Sequence, residues 1–240
     1  MQWFECWFNT PYYHLLYGKR NEEEAAFFLD NLLKHLNLPA GARCWDLNCG
    51  KGRHSVYLSK KGFEVIGTDL SDESIEFARK SENDALHFYK HDMRNLFYAD
   101  YFDAVFNLFT SFGYFRNRHD DEKVFAAVAA SLKPGGIFVL DFFNAGTVSQ
   151  KLVALEEKSI CGIDFSIRKK LEDGFVTKSI HVSDKGKNID YKEEVRMLMY
   201  ADFERLAAGA GLHVKQVFGN YALEGFDESK SERLILIFTK

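Results

Sequence analysis

The sequence has little cysteine, and none of it is arranged to hold a metal ion or to build a disulfide framework. Its four cysteines include no Cys-x-x-Cys pair, and no histidines stand beside them at metal-ligand spacing. Disulfide-rich chains belong to oxidising compartments, whereas scattered cysteines suit a reducing one. We therefore expect a cytoplasmic protein without a metal site.

Long apolar runs and a large excess of one charge are also missing. No stretch approaches the ~20 apolar residues of a membrane span, and the aromatic N-terminus lacks the basic start and apolar core of a signal peptide. The formal net charge is -4, with no basic stripe. These absences argue against a membrane and against a nucleic acid as partner.

What the chain does contain is an alternation of helical and strand-like segments. Residues 21–38 place apolar side chains at three- and four-residue steps, with Asn21 as the helix cap and Glu24 at the capping-box position. Strands are predicted at 42–47, 63–68, 86–90, 101–109 and 137–144, and helices at 53–61, at 71–81 and from 118 to the Pro-Gly-Gly turn at 134–136. Nearly continuous apolar strands between helices indicate an α/β protein with a doubly wound, mostly parallel sheet.

This rhythm changes after residue 144. Residues 148–199 contain three extended runs, separated by Asp173-Gly174 and by a loop at 184–188. Asp-Gly between alternating strands is a strong hairpin signal, so we predict a small antiparallel β insert here. A helix at 201–210 follows, and the last two strands should pair antiparallel at the edge of the main sheet.

The turn "DLNCGKG", which begins at Asp46, follows the first buried strand. Gly50 and Gly52 lie at a helix N-terminus, where backbone N–H groups are available to a polar or anionic ligand. The acid in the turn disfavours a pyrophosphate and suits a ligand that carries an ammonium group. Asp69, at the end of the next strand, is placed to accept both hydroxyls of a ribose. Together the two acids indicate a nucleoside joined to an amino acid.

The stretch "DLNCGKGRHSVYLSKKGFEVIGTDLS" resembles the cofactor-binding half of the class I S-adenosylmethionine-dependent methyltransferases. The likeness continues in "HDMRNL", "FDAVFNLFTSFGYF" and "LKPGGIFVLDFFN", and the "CGKGRH" variant is most similar to the small-molecule branch of the family. The resemblance implies a seven-stranded Rossmann-like sheet with the β insert after its fifth strand. It also implies S-adenosylmethionine as cofactor and an in-line methyl transfer to N, O, S or C of a small molecule.

The resemblance assigns roles to the turn by position. Asp46 should steady the turn and meet the methionine ammonium, directly or through water, while Gly52 belongs to the same glycine-bearing turn. The backbone at Asn48 and Gly50 should approach the methionine part closely. Asn48 replaces the usual first glycine, and asparagine is among the few residues that tolerate a left-handed backbone. The turn is therefore expected to survive this change.

The resemblance places the nucleoside at the following strand ends. Asp69 should hold the ribose, and Leu70 should lie against the adenine face. Asp92 matches the acid that accepts from the adenine amino group, with the Met93 backbone N–H at a ring nitrogen; a helix cap is the alternative for Asp92.

The motif "NLFTS" occupies the end of the fourth strand. By resemblance, Asn107 and Leu108 contribute a carbonyl to the ammonium and a wall beside the reactive methyl, although Asn107 could be only a turn former. The motif lacks the Asn/Asp-Pro-Pro-aromatic signature of enzymes that methylate nucleic-acid bases, which favours a small acceptor.

The N-terminal segment "TPYYHLLYGKR" resembles a helix that covers the site in this family. Tyr13 and Tyr17 would lie over the sulfonium, since aromatic faces attract cations. Arg20 and Arg53 are candidates for the methionine carboxylate or an acidic acceptor, with a surface salt bridge as the alternative. His14 is the candidate general base, if the acceptor needs one.

The predicted organisation has three parts. Residues 1–38 form an aromatic lid and helix, 39–147 with 200–240 form the cofactor-binding domain, and 148–199 form the insert. The N-terminal aromatics could instead only pack a terminal helix, and the insert could cover the acceptor or join two subunits as a homodimer. The rival functions are a non-catalytic cofactor-binding scaffold and an NAD-dependent oxidoreductase, the latter disfavoured by the Asp46 turn.

Overall fold

The structure is a computed structural model that describes residues 2–18 and 22–240. The predicted helix cap Asn21 and the predicted carboxylate ligand Arg20 lie outside these residues. Within the described ranges, no helix combines the length and hydrophobicity needed to cross a bilayer.

Helices and strands alternate along the first two thirds of the chain, as the sequence pattern predicts. The elements up to the main sheet's fifth strand are α1 (Trp3–Trp7), α2 (Pro11–Tyr17), α3 (Glu22–Leu36), β1 (Arg43–Leu47), α4 (Arg53–Lys60), β2 (Glu64–Asp69), α5 (Asp72–Ala78), β3 (Leu86–Lys90), β4 (Phe102–Asn107), α6 (Arg118–Ser131) and β5 (Leu132–Phe143). The remaining elements are α7 (Ala145–Lys151), β6 (Leu155–Ile160), β7 (Ile163–Glu172), β8 (Phe175–Asp184), β9 (Lys187–Arg196), α8 (Tyr200–Gly209), β10 (His213–Phe218) and β11 (Arg233–Thr239).

Seven strands form the main sheet in the order β10-β11-β5-β4-β1-β2-β3. Six of them run in the same direction, and only β11 is reversed, pairing antiparallel with both β5 and β10. Successive strand residues point to opposite faces, and both faces are buried: Trp45 belongs to one apolar cluster and its neighbour Cys44 to another. The predicted fold class, including the antiparallel pairing of the last two strands, is confirmed.

Two of the strand bounds given above differ from the structure by more than one residue. Strand β4 ends at Asn107, two residues early, because Phe109 and Thr110 have left-handed backbones with φ of +56° and +61°. Strand β5 begins at Leu132 instead of 137, because Leu132 pairs with Phe102 before an irregularity in the register. Both differences arise from pairing between strands, which local composition does not encode.

The predicted helix at 71–81 is shorter than expected. Ser71 caps it as predicted, since its Oγ accepts a 3.1 Å hydrogen bond from the Ser74 N–H. The α-helix ends at Ala78 and continues as a 3₁₀ turn to Ser81.

The insert contains four strands, not the three predicted, and an unpredicted helix α7 precedes them. The strands follow one another antiparallel in the order β6-β7-β8-β9. The predicted hairpin at Asp173-Gly174 joins β7 to β8, with both residues at positive φ. The sequence pattern missed β6, "LEEKSI", because that strand is exposed on most positions and lacks apolar alternation.

The N-terminal helices pack on the insert sheet. Trp7 and Leu16, from α1 and α2, share an apolar cluster with Phe165, Ile167 and Ile180 of the insert. The aromatic N-terminus therefore connects the insert to the side of the main sheet where the strands β1, β2 and β4 end.

Candidate active site

A cavity of about 690 Å³ lies at the carboxyl ends of β1, β2 and β4, beneath α1 and α2. Its size is within the range of small-molecule sites, and it lies where open parallel sheets bind ligands. The predicted residues that line it are Tyr13, His14, Tyr17, Asn48, Gly50, Gly52, Arg53, Asp69, Leu70, Asp92, Met93 and Leu108.

Two predicted residues do not line this cavity. Asp46 is 1% exposed and accepts a 2.5 Å hydrogen bond from the Ser55 hydroxyl of α4; burial raises the pKa of Asp46 to about 6. Asn107 is fully buried, and its amide donates to the carbonyls of Leu47 and Ser111 at 3.2 and 3.1 Å. Asn107 therefore joins the end of β4 to that of β1, and Asp46 joins β1 to α4, and neither side chain lines the cavity.

The turn after β1 has the backbone that the sequence predicts. Asn48, Gly50 and Gly52 all have positive φ, of +63°, +56° and +81°. A Cβ added at Gly50 would meet nothing within 4 Å, whereas at Gly52 it would lie 2.6 Å from the Phe88 ring. Gly52 therefore serves helix–strand packing, and Gly50 leaves open space facing a ligand. This open cradle fits the close approach of a methionine moiety.

The Asn48 side chain is engaged by the protein. Its amide donates 2.8 Å to the Ser111 carbonyl and 3.1 Å to the Met93 sulfur. The side chain therefore ties the β1 turn to the loop after β4.

Asp69 links the ends of the first two strands. Its Oδ2 accepts from the Gly50 N–H and its Oδ1 from the Ser71 N–H, both at 2.9 Å. Burial raises the pKa of Asp69 above its ordinary value, and these backbone N–H groups partly oppose that shift. Each carboxylate oxygen can accept a further hydrogen bond, as a ribose diol would require.

Asp92 caps a turn and not a helix. Its carboxylate accepts from the Arg94 backbone N–H at 3.0 Å and from the Arg94 guanidinium at 2.5 Å. Burial raises the pKa of Asp92, but the hydrogen bonds and charge of Arg94 outweigh burial and hold it below its ordinary value. The sequence reasoning missed Arg94, although a basic residue two positions away is a visible signal.

His14 lies in α2, which begins where the Thr10 hydroxyl accepts from the Tyr13 N–H. Its Nε2 is buried, has no hydrogen-bond partner within the described ranges, and lies 3.8 Å from Glu73 Oε1. Burial and the positive charge of Lys51 lower the pKa of His14, and Glu73 only partly opposes them. The imidazole is therefore neutral at pH 7 and able to accept a proton.

Arg53 starts α4, and its guanidinium lies 4.8 Å from the centre of the Phe109 ring. One terminal nitrogen is 3.1 Å from His54 Nε2, and the His54 ring itself stacks on Phe109 at 5.0 Å. Arg53 is thus held against an aromatic side chain at the cavity wall.

A second cavity, of about 610 Å³, lies between the end of β5, α7, the insert and the loop before β11. Charged and apolar side chains both line it, among them Lys178, Glu193 and Arg233. Phe109 lines both cavities, so they meet at this residue. No residue of this cavity was predicted as a site residue, because its walls come from five segments that are distant along the chain.

Comparison with known proteins agrees with this geometry. Residues 45–136, which include the β1 turn and strands β2 to β4, match the family model described as a methyltransferase domain. A dTDP-3-amino-3,4,6-trideoxy-alpha-D-glucopyranose N,N-dimethyltransferase of Streptomyces venezuelae is 28% identical over 219 residues, 86% of this chain and 91% of that protein. The chain carries a methyltransferase domain at residues 45–136, and it is an S-adenosylmethionine-dependent methyltransferase.

Two further proteins resemble this methyltransferase along most of its length. A glycine/sarcosine N-methyltransferase of Parasynechococcus marenigrum is 28% identical over 215 residues, 85% of this chain and 73% of that protein. The structure of an S-adenosylmethionine-dependent methyltransferase from Clostridium acetobutylicum has a TM-score of 0.80, with 23% identity and 95% of each chain covered. The comparisons give no support to an oxidoreductase or to a non-catalytic scaffold, and the methyl donor is S-adenosylmethionine.

Proposed function

We propose that this methyltransferase binds S-adenosylmethionine in the first cavity and methylates an amino nitrogen of a small molecule in the second. The observation that carries the proposal is that the two cavities meet at Phe109. Methyl transfer needs donor and acceptor in separate sites that touch at one point, because the nucleophile attacks in line with the bond that breaks.

The residues of the first cavity suit the donor. We propose that Asp69 holds the ribose, that Leu70, Asp92 and Met93 surround the adenine, and that the backbone from Asn48 to Gly50 faces the methionine part. The support is that Asp69 keeps acceptor capacity at both oxygens, and that the space above Gly50 is open.

Three further side chains are proposed around the reacting end of the donor. Tyr13 and Tyr17 line the same cavity from α2, where their ring faces would favour a cation. Arg53, at the N-terminus of α4, is proposed for the carboxylate. Asp46 and Asn107 act from below by holding the strand ends.

The choice of an amine rests on the relatives and on the chemistry of the chain. The two curated relatives described above are named N-methyltransferases. When bound, S-adenosylmethionine supplies a methyl carbon to which the nitrogen lone pair bonds while the carbon–sulfur bond breaks, its electron pair remaining on sulfur. The neutral imidazole of His14 is the candidate to take the proton that the nitrogen releases.

The test is to incubate the purified protein with S-adenosylmethionine and a panel of acceptors, and to measure S-adenosylhomocysteine by mass spectrometry. The panel holds amino sugars and their nucleotide conjugates, glycine, sarcosine, thiols, phenols and carboxylic acids. We expect turnover with an amine only. Turnover confined to a thiol, a phenol or an acid would contradict the amine, and cofactor binding with no turnover would favour the scaffold.

Asp69→Ala serves as the loss-of-function control for this assay. The variant lacks the charged acceptor proposed for the ribose hydroxyls, and hydrogen bonds to a charged group are worth about 1.5–3 kcal/mol, so S-adenosylhomocysteine should bind roughly 10- to 150-fold more weakly in calorimetry. Asp72→Ala, three residues on and exposed, is the matched control, and its affinity should equal that of the wild type.

We also propose a homodimer formed through the insert and a cytoplasmic location. Strand β6 is the edge of the insert sheet, and Leu155 in it and Val153 before it are 51% and 59% exposed. Unpaired edges with apolar side chains are typical sites of association. Light scattering during size-exclusion chromatography tests this: a single mass near 27.7 kDa at all concentrations would contradict the dimer.

A further inference from the structure

We infer that Asp141 is a positioning residue for methyl transfer, because it fixes the loop that places Phe109 between the two cavities. Asp141 belongs to β5, is 0% exposed, and lines neither cavity. It would touch neither donor nor acceptor and acts through the backbone of Phe109 and Thr110. The inference rests on the proposed function, in which the two cavities hold donor and acceptor.

The loop after β4 has an unfavourable backbone. Phe109 and Thr110 are consecutive, neither is glycine, and both have positive φ, of +56° and +61°. A side chain in this region clashes with the following carbonyl, and β-branched Thr110 suffers most. Such a pair persists only where its surroundings hold it.

Asp141 accepts a hydrogen bond from each residue of this pair. Its Oδ2 accepts from the Phe109 N–H at 2.8 Å, and its backbone carbonyl accepts from the Thr110 N–H at 2.9 Å. Arg233 completes the arrangement: its Nε donates to Asp141 Oδ1 at 2.8 Å, and a terminal nitrogen donates to the Thr110 hydroxyl at 2.9 Å. The Asp141 carboxylate therefore holds Phe109, and the Arg233 guanidinium holds both that carboxylate and Thr110.

These hydrogen bonds fix the position of the Phe109 ring. Phe109 stacks on His54 at 5.0 Å on the side of the first cavity and lies 5.3 Å from Tyr221 on the side of the second. The Tyr221 hydroxyl in turn donates 3.3 Å to Asp141 Oδ2. Because alignment of donor and acceptor is sensitive to displacements of about 1 Å, release of the loop should reduce the rate more than the affinity.

The chemistry of the pair suggests a rescue. Asp141→Ala removes the acceptor of the Phe109 N–H and leaves the buried guanidinium of Arg233 without its carboxylate. The double change Asp141→Asn with Arg233→Gln removes both charges but keeps a donor or acceptor for each of the hydrogen bonds to Phe109 and Thr110. The new asparagine oxygen can accept from Phe109, its nitrogen can donate to the new glutamine oxygen, and the glutamine nitrogen can donate to Thr110.

The experiment compares the wild type, Asp141→Ala and the double variant in three measurements. These are calorimetric binding of S-adenosylhomocysteine, the initial rate with the amine identified in the acceptor panel, and hydrogen exchange of the 105–115 peptide. For Asp141→Ala we expect a rate at least about tenfold lower, affinity within about threefold of wild type, and faster exchange. For the double variant the criterion is exchange alone, because Arg233 also lines the second cavity: exchange of the 105–115 peptide should return to within about threefold of wild type.

The matched control is Asp103→Ala, which breaks an aspartate–lysine pair with Lys133 at the opposite end of β4. Its rate and its exchange at 105–115 should not change. If Asp141→Ala does not fold, Asp141→Asn alone replaces it, because its amide nitrogen opposes the Arg233 guanidinium. A wild-type rate in the Asp141 variant, or exchange of the 105–115 peptide as fast in the double variant as in the single one, would overturn the inference.

The two proposals fail in different ways. If the wild type methylates no acceptor, the proposed function fails, and the exchange measurement then decides the inference. Unchanged exchange of the 105–115 peptide in Asp141→Ala overturns it, whereas faster exchange, restored in the double variant, supports it.

Discussion

The indole N–H of Trp7 donates a 2.7 Å hydrogen bond to Oε1 of Glu193, which lies 186 residues further along the chain. The second carboxylate oxygen of Glu193 accepts from Lys178 at 2.7 Å. This contact attaches the N-terminal helices, which cover the first cavity, to the last strand of the insert.

Trp7→Phe should lower the free energy of unfolding by about 1–3 kcal/mol, because it leaves a buried carboxylate oxygen without its donor. Urea denaturation measures this loss. Trp3→Phe is the matched control, since the Trp3 indole nitrogen is buried without a hydrogen-bond partner in the described part of the chain. Equal losses in the two variants would show that the Glu193 bond contributes nothing.

Gly50 and Gly52 of the β1 turn should respond differently to alanine: one variant should lose cofactor affinity and the other stability. Gly52→Ala forces a Cβ to within 2.6 Å of the buried Phe88 ring and should destabilise the protein by about 2 kcal/mol or more. Gly50→Ala meets no atom and should cost only about 1 kcal/mol of backbone strain, while it fills the space beside the methionine moiety.

Thermal unfolding and calorimetry with S-adenosylhomocysteine separate these two effects. Gly50→Ala should keep most of its stability and lose affinity at least about tenfold, as expected for about 1.4 kcal/mol. Unchanged affinity in Gly50→Ala would contradict the placement of the cofactor over this turn.

His14→Asn tests the candidate base. General-base catalysis typically contributes 10²–10⁴-fold, so the rate should fall at least about tenfold with little change in S-adenosylhomocysteine affinity. Because the pKa of His14 is lowered from 6.5, the wild-type rate should decline only below that pH. The variant should lack this acid limb.

Exposed His119, which pairs with Glu122 on the surface of α6, provides the control. His119→Asn should keep both the rate and the pH profile of the wild type. A wild-type profile in His14→Asn as well would remove His14 from the mechanism.

Asp121 should make the stability depend on pH. It is 1% exposed beside Arg196, and burial raises its pKa from 3.8 to about 7, although Arg196 partly opposes the shift. Between these two pKa values the folded state holds a proton that the unfolded state has released. The free energy of unfolding should therefore fall as the pH rises from about 4 to about 7. The fall is at most about 4 kcal/mol, at about 1.4 kcal/mol per pKa unit.

Urea denaturation of Asp121→Asn over this pH range checks the prediction, because the amide imitates the protonated acid and should remove the decline. The neighbouring Asp120 has the opposite property: a hydrogen bond from Lys123 lowers its pKa, so its contribution is lost as pH falls. Asp120→Asn should leave the decline in place. A decline that persists in Asp121→Asn would assign it to another group.

Local sequence was sufficient for much of the cofactor side. The left-handed backbone of Asn48 was predictable because asparagine tolerates it, and the position of Asp69 followed from the end of a recognisable strand. Whether a side chain at a strand end reaches the cavity or is buried beneath it was not predictable from the sequence. Asp46 and Asn107 also lie at the carboxyl ends of strands, yet they bond to Ser55 and Leu47 inside the protein.

The sequence by itself determined the fold class through its apolar periodicity, and its glycines and strand-terminal acids indicated a nucleoside joined to an amino acid; the resemblance of these motifs to a known family implied the methyl donor. These signals are local, so they can be read without the tertiary structure. Only the tertiary structure showed that two cavities meet at Phe109 and what holds Phe109 between them. Asp141 and Arg233 are 92 residues apart and meet because β5 pairs with β11, and Trp7 meets Glu193 because the insert folds back onto α1. Such contacts depend on strand register and on how helices pack, and the spacing of residues along the sequence does not predict either.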